Sequence, residues 1–236
     1  MRNCFLLLMW SMLLLMAGGC ENKVQDKEEK GTFSVCENRK VVFAPGNLAT
    51  DGHDFVEHQW EYGGLFGWGT GNHAYDTTED LNCYAVYYDW GKNFEGGWRT
   101  LSIEEWRYLL FERDDAAGKW GAGTVNNVHG LLVLPDRWRM PEGCIFRAGN
   151  NGWDGNRYSE LQWSQMEKEG ALFLPAGGFR WGEVVYAEGC EGMYWTSTPW
   201  DECCAHVVFF SGDTLDSAED DRRFFGQSVR LARDCE

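Results

Sequence analysis

Apolar residues near the start of the chain form two short runs on either side of a polar segment. Phe33-Ser34-Val35 and Val41-Val42-Phe43-Ala44 flank the tetrapeptide Glu37–Lys40, and Pro45-Gly46 follows the second run. Short apolar runs bounded by turn residues are typical of strands. The pattern therefore predicts two strands joined by a turn.

Two later segments have helical periodicity. Ser102 can cap a helix while Glu105 reaches back to it, and the apolar face that follows contains Ile103, Trp106, Leu109 and Leu110. Ser159 and Gln162 repeat this capping box, and Gly170 is a suitable C-terminal stop. The apolar contacts predicted for the second helix come from Leu161, Trp163 and Met166.

The remaining apolar runs predict strands. They are Leu131–Leu134, Ala171–Leu174, Met193–Thr198, Ala205–Phe210 and Ser228–Ala232. Between Trp60 and Trp98, aromatic residues alternate with glycine, which favours irregular loops. Few strands, two helices and long loops indicate an α+β fold rather than alternating βαβ units. Apolar runs at both chain ends would each expose an unpaired strand edge if they stood alone.

Composition and charge narrow the possible partners. One domain, residues 32–236, is the simplest organisation for a chain of this length. The formal net charge is −16, so the chain repels polyanions and nucleic acid is not an expected partner. The chain has 13 tryptophans, most of which we expect in the core.

The N-terminus predicts where the protein works. Residues 1–19 combine a basic start at Arg2 with the apolar run Phe5–Ala17, which has the character of a secretory signal peptide. Ala17-Gly18-Gly19-Cys20 is similar to the lipobox of bacterial lipoproteins, in which the cysteine is lipidated. We therefore predict an outer-membrane lipoprotein anchored only through Cys20. Residues 20–31 are charged and lack periodicity, so we interpret them as a flexible tether.

Candidate catalytic and metal-binding groups do not form a recognised motif. The loop Ser211–Asp221 is acidic but lacks EF-hand spacing, and His206 lies close in sequence to Cys203 and Cys204 without the context of a catalytic pair. We predict no metal, no cofactor and no catalytic residue. Seven cysteines follow Cys20, an odd number that leaves at least one thiol unpaired within a chain, and their connectivity stays open.

Six blocks in order resemble the Fibrobacter succinogenes major paralogous domain family across Thr32–Asp234. The matching strings are FSVCENRKVVFAPGNL (33–48), LFGWGTG (65–71), WRTLSIEEWRYLLFER (98–113), GLLVLPDRWRMP (130–141), YSELQWSQMEKEGALFLPAGGFR (158–180) and YWTST…AHVVFFSG…RRFFGQSVRLARD (194–234). Proteins of this family come from Bacteroidetes and related bacteria and are generally secreted or lipid-anchored. The resemblance implies a fold similar to C-type lectins and formylglycine-generating enzymes, with two helices beside a small twisted, mostly antiparallel sheet and with the chain ends brought together. Together with the apolar runs at both ends, it leads us to expect Phe33–Ala44 and Ser228–Asp234 in one sheet.

The same fold group includes the variable proteins of diversity-generating retroelements, which bind ligands through a C-terminal segment. The corresponding regions here are Pro199–Cys204 and Ser211–Phe225. We therefore predict a binding surface for a protein or glycan ligand on these loops, with aromatic and charged contacts. Its residues are Trp200, Asp201, Glu202, His206, Asp213, Asp216, Asp220, Arg222, Arg223 and Phe224.

The function expected from this resemblance is a non-enzymatic ligand-binding or adhesin module at the cell surface. One alternative is an enzyme, either an oxidase of the formylglycine-generating type or a hydrolase. The RGGSW-type motif of those oxidases is absent, and Cys203 and Cys204 are adjacent rather than separated by three or four residues. The EPN/QPD and WND motifs of calcium-dependent lectins are also absent. A second alternative is a structural subunit of a surface assembly.

Overall fold

The computed structural model describes residues 30–70 and 87–235. The predicted signal peptide, Cys20, residues 20–29 of the predicted tether and Cys83 lie outside these ranges. In the described part, no helix is long and apolar enough to cross a membrane. Within it, the thiols of Cys36, Cys144, Cys190, Cys203 and Cys204 are free.

The described chain is α+β, with short and mostly antiparallel strands and two short helices. The strands are β1 (Phe33–Cys36), β2 (Arg39–Phe43), β3 (Trp120–Val125), β4 (Val128–Val133), β5 (Arg157–Tyr158), β6 (Leu172–Pro175), β7 (Phe179–Trp181), β8 (Val184–Tyr186), β9 (Glu191–Pro199), β10 (Cys204–Ser211), β11 (Leu215–Asp216), β12 (Asp220–Arg222) and β13 (Ala232–Asp234). The helices are α1 (Ile103–Arg107), which continues as a π-helical turn over Tyr108–Glu112, and α2 (Glu160–Lys168). Two short 3₁₀ turns cover Trp90–Asn93 and Ala116–Gly118.

Both ends of the domain meet in one three-stranded sheet, in the order β1-β2-β13. Phe33 and Asp234 are both register partners of Val41, one on each side of β2. The buried carboxylate of Glu105 fastens this sheet to α1, because it accepts two hydrogen bonds of 2.8 Å from Arg99. Arg99 also pairs with Asp234 at 2.6 Å. The prediction that Phe33–Ala44 and Ser228–Asp234 share a sheet is confirmed for Ala232–Asp234, whereas Ser228 bridges to β9 instead.

Both predicted capping boxes are present. Ser102 accepts the amide of Glu105 and Ser159 accepts the amide of Gln162, while each side chain three residues on bonds back to the cap. Gly170 ends α2 with φ +92°, a conformation that favours glycine. The prediction that Leu161 contributes to the core is wrong, because its side chain is 73% exposed. Leu161 lies two residues, or about 200° of helical rotation, from the buried Trp163.

The other strands form two larger sheets and a separate hairpin. One sheet has the order β5-β3-β4-β6, and the other places β10 between β9 and the two short strands β11 and β12. Strands β7 and β8 form a separate two-stranded sheet. Apolar side chains pack between these layers in three clusters, with Trp90, Trp106, Trp163 and Trp195 fully buried.

The segment Ser228–Ala232 is not one strand as predicted. Ser228 makes an isolated parallel bridge with Tyr194 of β9, whereas Ala232 begins β13. Between them, Arg230 is buried and donates from Nε to Asn47 Oδ1 at 2.9 Å and from Nη2 to the Phe173 carbonyl at 2.9 Å. Burial lowers the pKa of Arg230 to about 10. This segment therefore crosses from β9 to the first sheet, which it joins at Ala232.

Candidate binding surface

The turn between β9 and β10 presents an exposed indole. Trp200 is 59% exposed and stands edge-on to the His206 ring, with the ring centroids 5.0 Å apart. Asp201 shapes the turn, because its Oδ1 accepts the amides of Cys203 and Cys204 at 2.7 Å each. These two backbone hydrogen bonds lower the pKa of Asp201. We call Trp200, Asp201, Glu202 and His206 the Trp200 corner.

Strand β12 completes this corner. Its register places Arg222 opposite Cys204 and Asp220 opposite His206, and both side chains are exposed. The predicted residues Trp200, Asp201, Glu202, His206, Asp220 and Arg222 therefore gather at one end of β10.

Two of the predicted acidic residues lie elsewhere. Asp216 is opposite Phe209, three residues further along β10 than His206, which is a distance of about 10 Å. Its Oδ1 accepts the amide of Ala218 at 2.7 Å, and Asp213 accepts the hydroxyl of Ser211 at 2.8 Å. Asp213 and Asp216 thus stabilise a turn away from the Trp200 corner.

Two other predicted contact residues are buried. Arg223 donates from Nε to the Cys204 carbonyl at 3.1 Å and from Nη2 to the Asp201 carbonyl. Phe224 is buried with its ring against Phe225. Arg223 and Phe224 hold the surface in place and do not form part of its exposed area.

The hairpin β7–β8 is an exposed apolar group that sequence reasoning missed. Its side chains Trp181, Val184, Val185 and Tyr186 are 48%, 51%, 41% and 42% exposed. The two-residue loop Gly182-Glu183 joins the strands, and Gly182 has φ +60°, as the first position of a type II′ turn requires. The sequence signal for this hairpin is the pair of runs Phe179–Trp181 and Val184–Tyr186 around Gly182.

One face of the hairpin continues onto the C-terminal segment. Opposite pairs Phe179 with Tyr186 and Trp181 with Val184 share this face. Phe225 packs against it, with ring centroids 5.3 Å from Phe179 and 5.9 Å from Trp181. We call Phe179, Trp181, Val184, Tyr186 and Phe225 the aromatic surface.

A single turn connects the aromatic surface to the Trp200 corner. The amide of Phe225 donates to the carbonyl of Arg222 at 2.9 Å, which is the hydrogen bond of a β-turn. Arg180 and Gly226 exchange two backbone hydrogen bonds of 2.8 and 2.9 Å, which fix the hairpin to the end of this turn. The ends of a β-turn lie within about 7 Å, so the corner and the aromatic surface are neighbours.

A half-buried carboxyl group lies beside this turn. Asp221 accepts a hydrogen bond of 2.6 Å from the amide nitrogen of the buried Gln227. Burial, followed by the negative charges of Asp220 and Glu219, raises the pKa of Asp221 to about 6. The local charge therefore changes between mildly acidic and neutral pH.

The arrangement around the vicinal cysteines does not favour nucleophilic chemistry. Burial and the carboxylates of Asp201 and Asp220 raise the pKa of Cys204 to about 11, whereas reactive cysteines have a lowered pKa. His206 Nδ1 lies 3.2 Å from the Glu219 carbonyl and the ring contacts Trp200. Among residues 30–70 and 87–235, no three His, Cys, Asp or Glu side chains converge to hold a metal ion.

No family model, curated protein or solved structure matches the chain. The family resemblance and the detailed fold that it implies therefore stay predictions. A function is therefore proposed from the exposed side chains and from the hydrogen bonds and ring contacts that hold them in place.

Proposed function

We propose that this domain is a non-enzymatic binding module that holds a protein or glycan ligand on the aromatic surface and the Trp200 corner. One observation carries the proposal. The short hairpin β7–β8 exposes the large apolar side chains of Trp181, Val184 and Tyr186 on one face, next to the C-terminal loops. Contiguous exposed apolar groups mark interaction sites, and aromatic residues are the side chains that most often dominate binding energy.

The supports beneath these side chains favour recognition by a rigid surface. The tight turn at Gly182 and the backbone bonds of Arg180 to Gly226 restrain the hairpin, and Phe225 packs on its face. Buried Arg223 holds the adjoining turn to the carbonyls of Asp201 and Cys204. A preorganised surface loses less conformational entropy on binding, so more of the contact energy appears as affinity.

The proposed setting is a lipoprotein of the outer membrane, anchored through Cys20, with a C-type-lectin-like domain. The lipobox-like residues before Cys20 support the anchor. Two short helices beside small antiparallel sheets, with Phe33 and Asp234 flanking Val41, are compatible with the proposed fold. The raised pKa of Cys204 supports a binding role over an oxidase role.

The experiment captures a ligand from a cell-surface extract on the immobilised domain and then measures its affinity for purified variants. Trp181→Ala and Trp200→Ala should each weaken binding about 30-fold, equivalent to roughly 2 kcal/mol. Leu161→Ala is the matched control, because Leu161 is an exposed apolar residue on α2 outside the proposed surface. Protease or periodate treatment of the captured material identifies the ligand as protein or glycan.

Each variant is also melted to establish that it is folded. Unchanged affinity in folded Trp181→Ala and Trp200→Ala would refute the proposed surface. An equal loss in Leu161→Ala would show that the effect is not specific to it.

A further inference from the structure

A cavity of about 300 Å³ lies on the other side of the same hairpin, between β7–β8 and the loop that contains Thr50 and Tyr62. Arg180 and Val185 are opposite each other in the hairpin and both line the cavity. Because side chains alternate along a strand, this face is opposite the aromatic surface. The volume is at the lower limit for small-molecule sites, so the cavity suits a ligand of about one ring.

The charges on the cavity wall balance each other. Arg180 contributes one positive charge, and its guanidinium donates to the carbonyls of Gly182 at 2.8 Å and Leu65 at 3.2 Å. Glu188 contributes one negative charge. Burial, and then the charges of Glu188 and Cys190, raise the pKa of Tyr62, so its phenol stays neutral and can donate a hydrogen bond. The wall is therefore neutral overall, although the whole chain has a formal net charge of −16.

Apolar and polar groups line this neutral wall together. Leu65, Val185 and the Tyr62 ring provide apolar area. The side chains of Thr50, Tyr62 and Glu188 provide hydroxyl and carboxylate groups, none of which hydrogen-bonds to another group in the described part of the chain. A ligand that contacts both the apolar and the polar groups of this wall has an apolar face, several hydrogen-bond donors and acceptors, and no net charge.

We propose that this cavity binds a single neutral sugar residue. The C–H face of a sugar ring matches the apolar wall, and its hydroxyl groups can donate to Glu188 and exchange hydrogen bonds with Thr50 and Tyr62. An anionic ligand would be repelled by the carboxylate of Glu188, and a cationic ligand by the guanidinium of Arg180. The site is independent of the proposed function, because it uses the opposite face of the hairpin.

Saturation-transfer NMR with glucose, galactose, mannose, xylose and N-acetylglucosamine tests the proposal. At least one of these sugars should give a specific signal and a saturable titration. Val185→Trp should fill the cavity and abolish the signal. Val184→Trp is the matched control, since Val184 is the adjacent exposed valine on the opposite face, and it should preserve the signal. Absence of binding by all five sugars, or undiminished binding to Val185→Trp, would overturn the proposal.

Smaller substitutions keep the test decisive if Val185→Trp fails to fold. Glu188→Gln replaces the carboxylate by a neutral amide and Tyr62→Phe removes the hydroxyl group, and each should weaken sugar affinity at least about fivefold. Glucuronate and glucosamine should bind at least about fivefold more weakly than the best neutral sugar. Unchanged affinity in both variants, or preferential binding of a charged sugar, would overturn the assignment. Trp181→Ala should retain sugar binding, which separates this result from that of the proposed macromolecular surface.

Discussion

The guanidinium of Arg223 lies over the indole of Trp68, with its Cζ atom 4.5 Å from the ring centroid. The indole nitrogen of Trp68 in turn donates to the Thr196 carbonyl of β9 at 2.7 Å. This stack joins three segments that are distant in sequence. It fixes the turn between the Trp200 corner and the aromatic surface.

Replacing Arg223 should therefore destabilise the domain. Arg223→Ala removes the cation–π contact and the hydrogen bonds to the carbonyls of Cys204 and Asp201, so we expect the free energy of unfolding to fall by about 2–4 kcal/mol. Urea denaturation measures the change. Arg222→Ala, the exposed neighbour, is the control and should cost less than about 0.5 kcal/mol. Equal losses in the two variants would contradict the role given to Arg223.

Asp221 should make stability depend on pH. Its pKa is about 6 in the folded chain against an ordinary value of 3.8, so the folded state holds this proton more tightly than the unfolded state. The stabilising contribution is complete below about pH 4 and is lost as the pH rises through 6. Asp221→Asn should raise the free energy of unfolding by about 2 kcal/mol at pH 7.5 and change it little at pH 4.

Denaturant titrations at both pH values measure this difference. Asp213→Asn is the control, because it makes the same change of charge at an exposed position in another turn. A pH-independent effect of Asp221→Asn, or the same gain in Asp213→Asn, would contradict the explanation.

The C-terminal segment should be essential for folding of the whole domain. Truncation after Ser228 removes the fully buried Val229 and Leu231, each worth about 1.5–3 kcal/mol, in a domain that is expected to be stable by only about 5–15 kcal/mol. It also removes Arg230 and β13. We expect loss of the cooperative thermal transition, whereas truncation after Asp234 should preserve it. A normal melt of the shorter chain would refute this prediction.

Lipidation at Cys20 remains a prediction from the sequence. Cys20→Ser should prevent incorporation of a palmitate analogue and release the protein from the membrane fraction. More than one acyl chain is expected at the anchor, because a single chain binds a membrane only marginally. Equal labelling of the variant and the unaltered protein would exclude Cys20 as the modified residue.

Local patterns predicted the elements whose stabilising contacts are close in sequence. The two helices are an example, since Ser102 and Ser159 each bond to a residue three positions later. The first hairpin was predictable for a similar reason, because its strands are joined by a short turn. In these segments, composition and residue spacing were sufficient to predict the secondary structure.

Longer-range relationships could not be derived from local patterns. The run Ser228–Ala232 contains three apolar residues, which favour a strand. Apolarity does not specify that Ser228 bridges to β9 while Ala232 pairs with β2. Arg230 is buried there because carbonyls from distant segments accept its hydrogen bonds. In the predicted binding surface, residue type alone could not separate exposed Arg222 from buried Arg223. Their difference depends on Trp68, which is far away in the sequence.

Because Phe33 and Asp234 both pair with Val41, anything attached to the two ends of the domain is attached at neighbouring points. Two strand spacings separate the first residue of β1 from the last residue of β13, a distance of about 10 Å across Val41. A fluorescent protein fused after Asp234 would therefore begin beside the point where the chain enters β1. Force applied between the two ends would act across this one sheet and peel its outer strands away from β2.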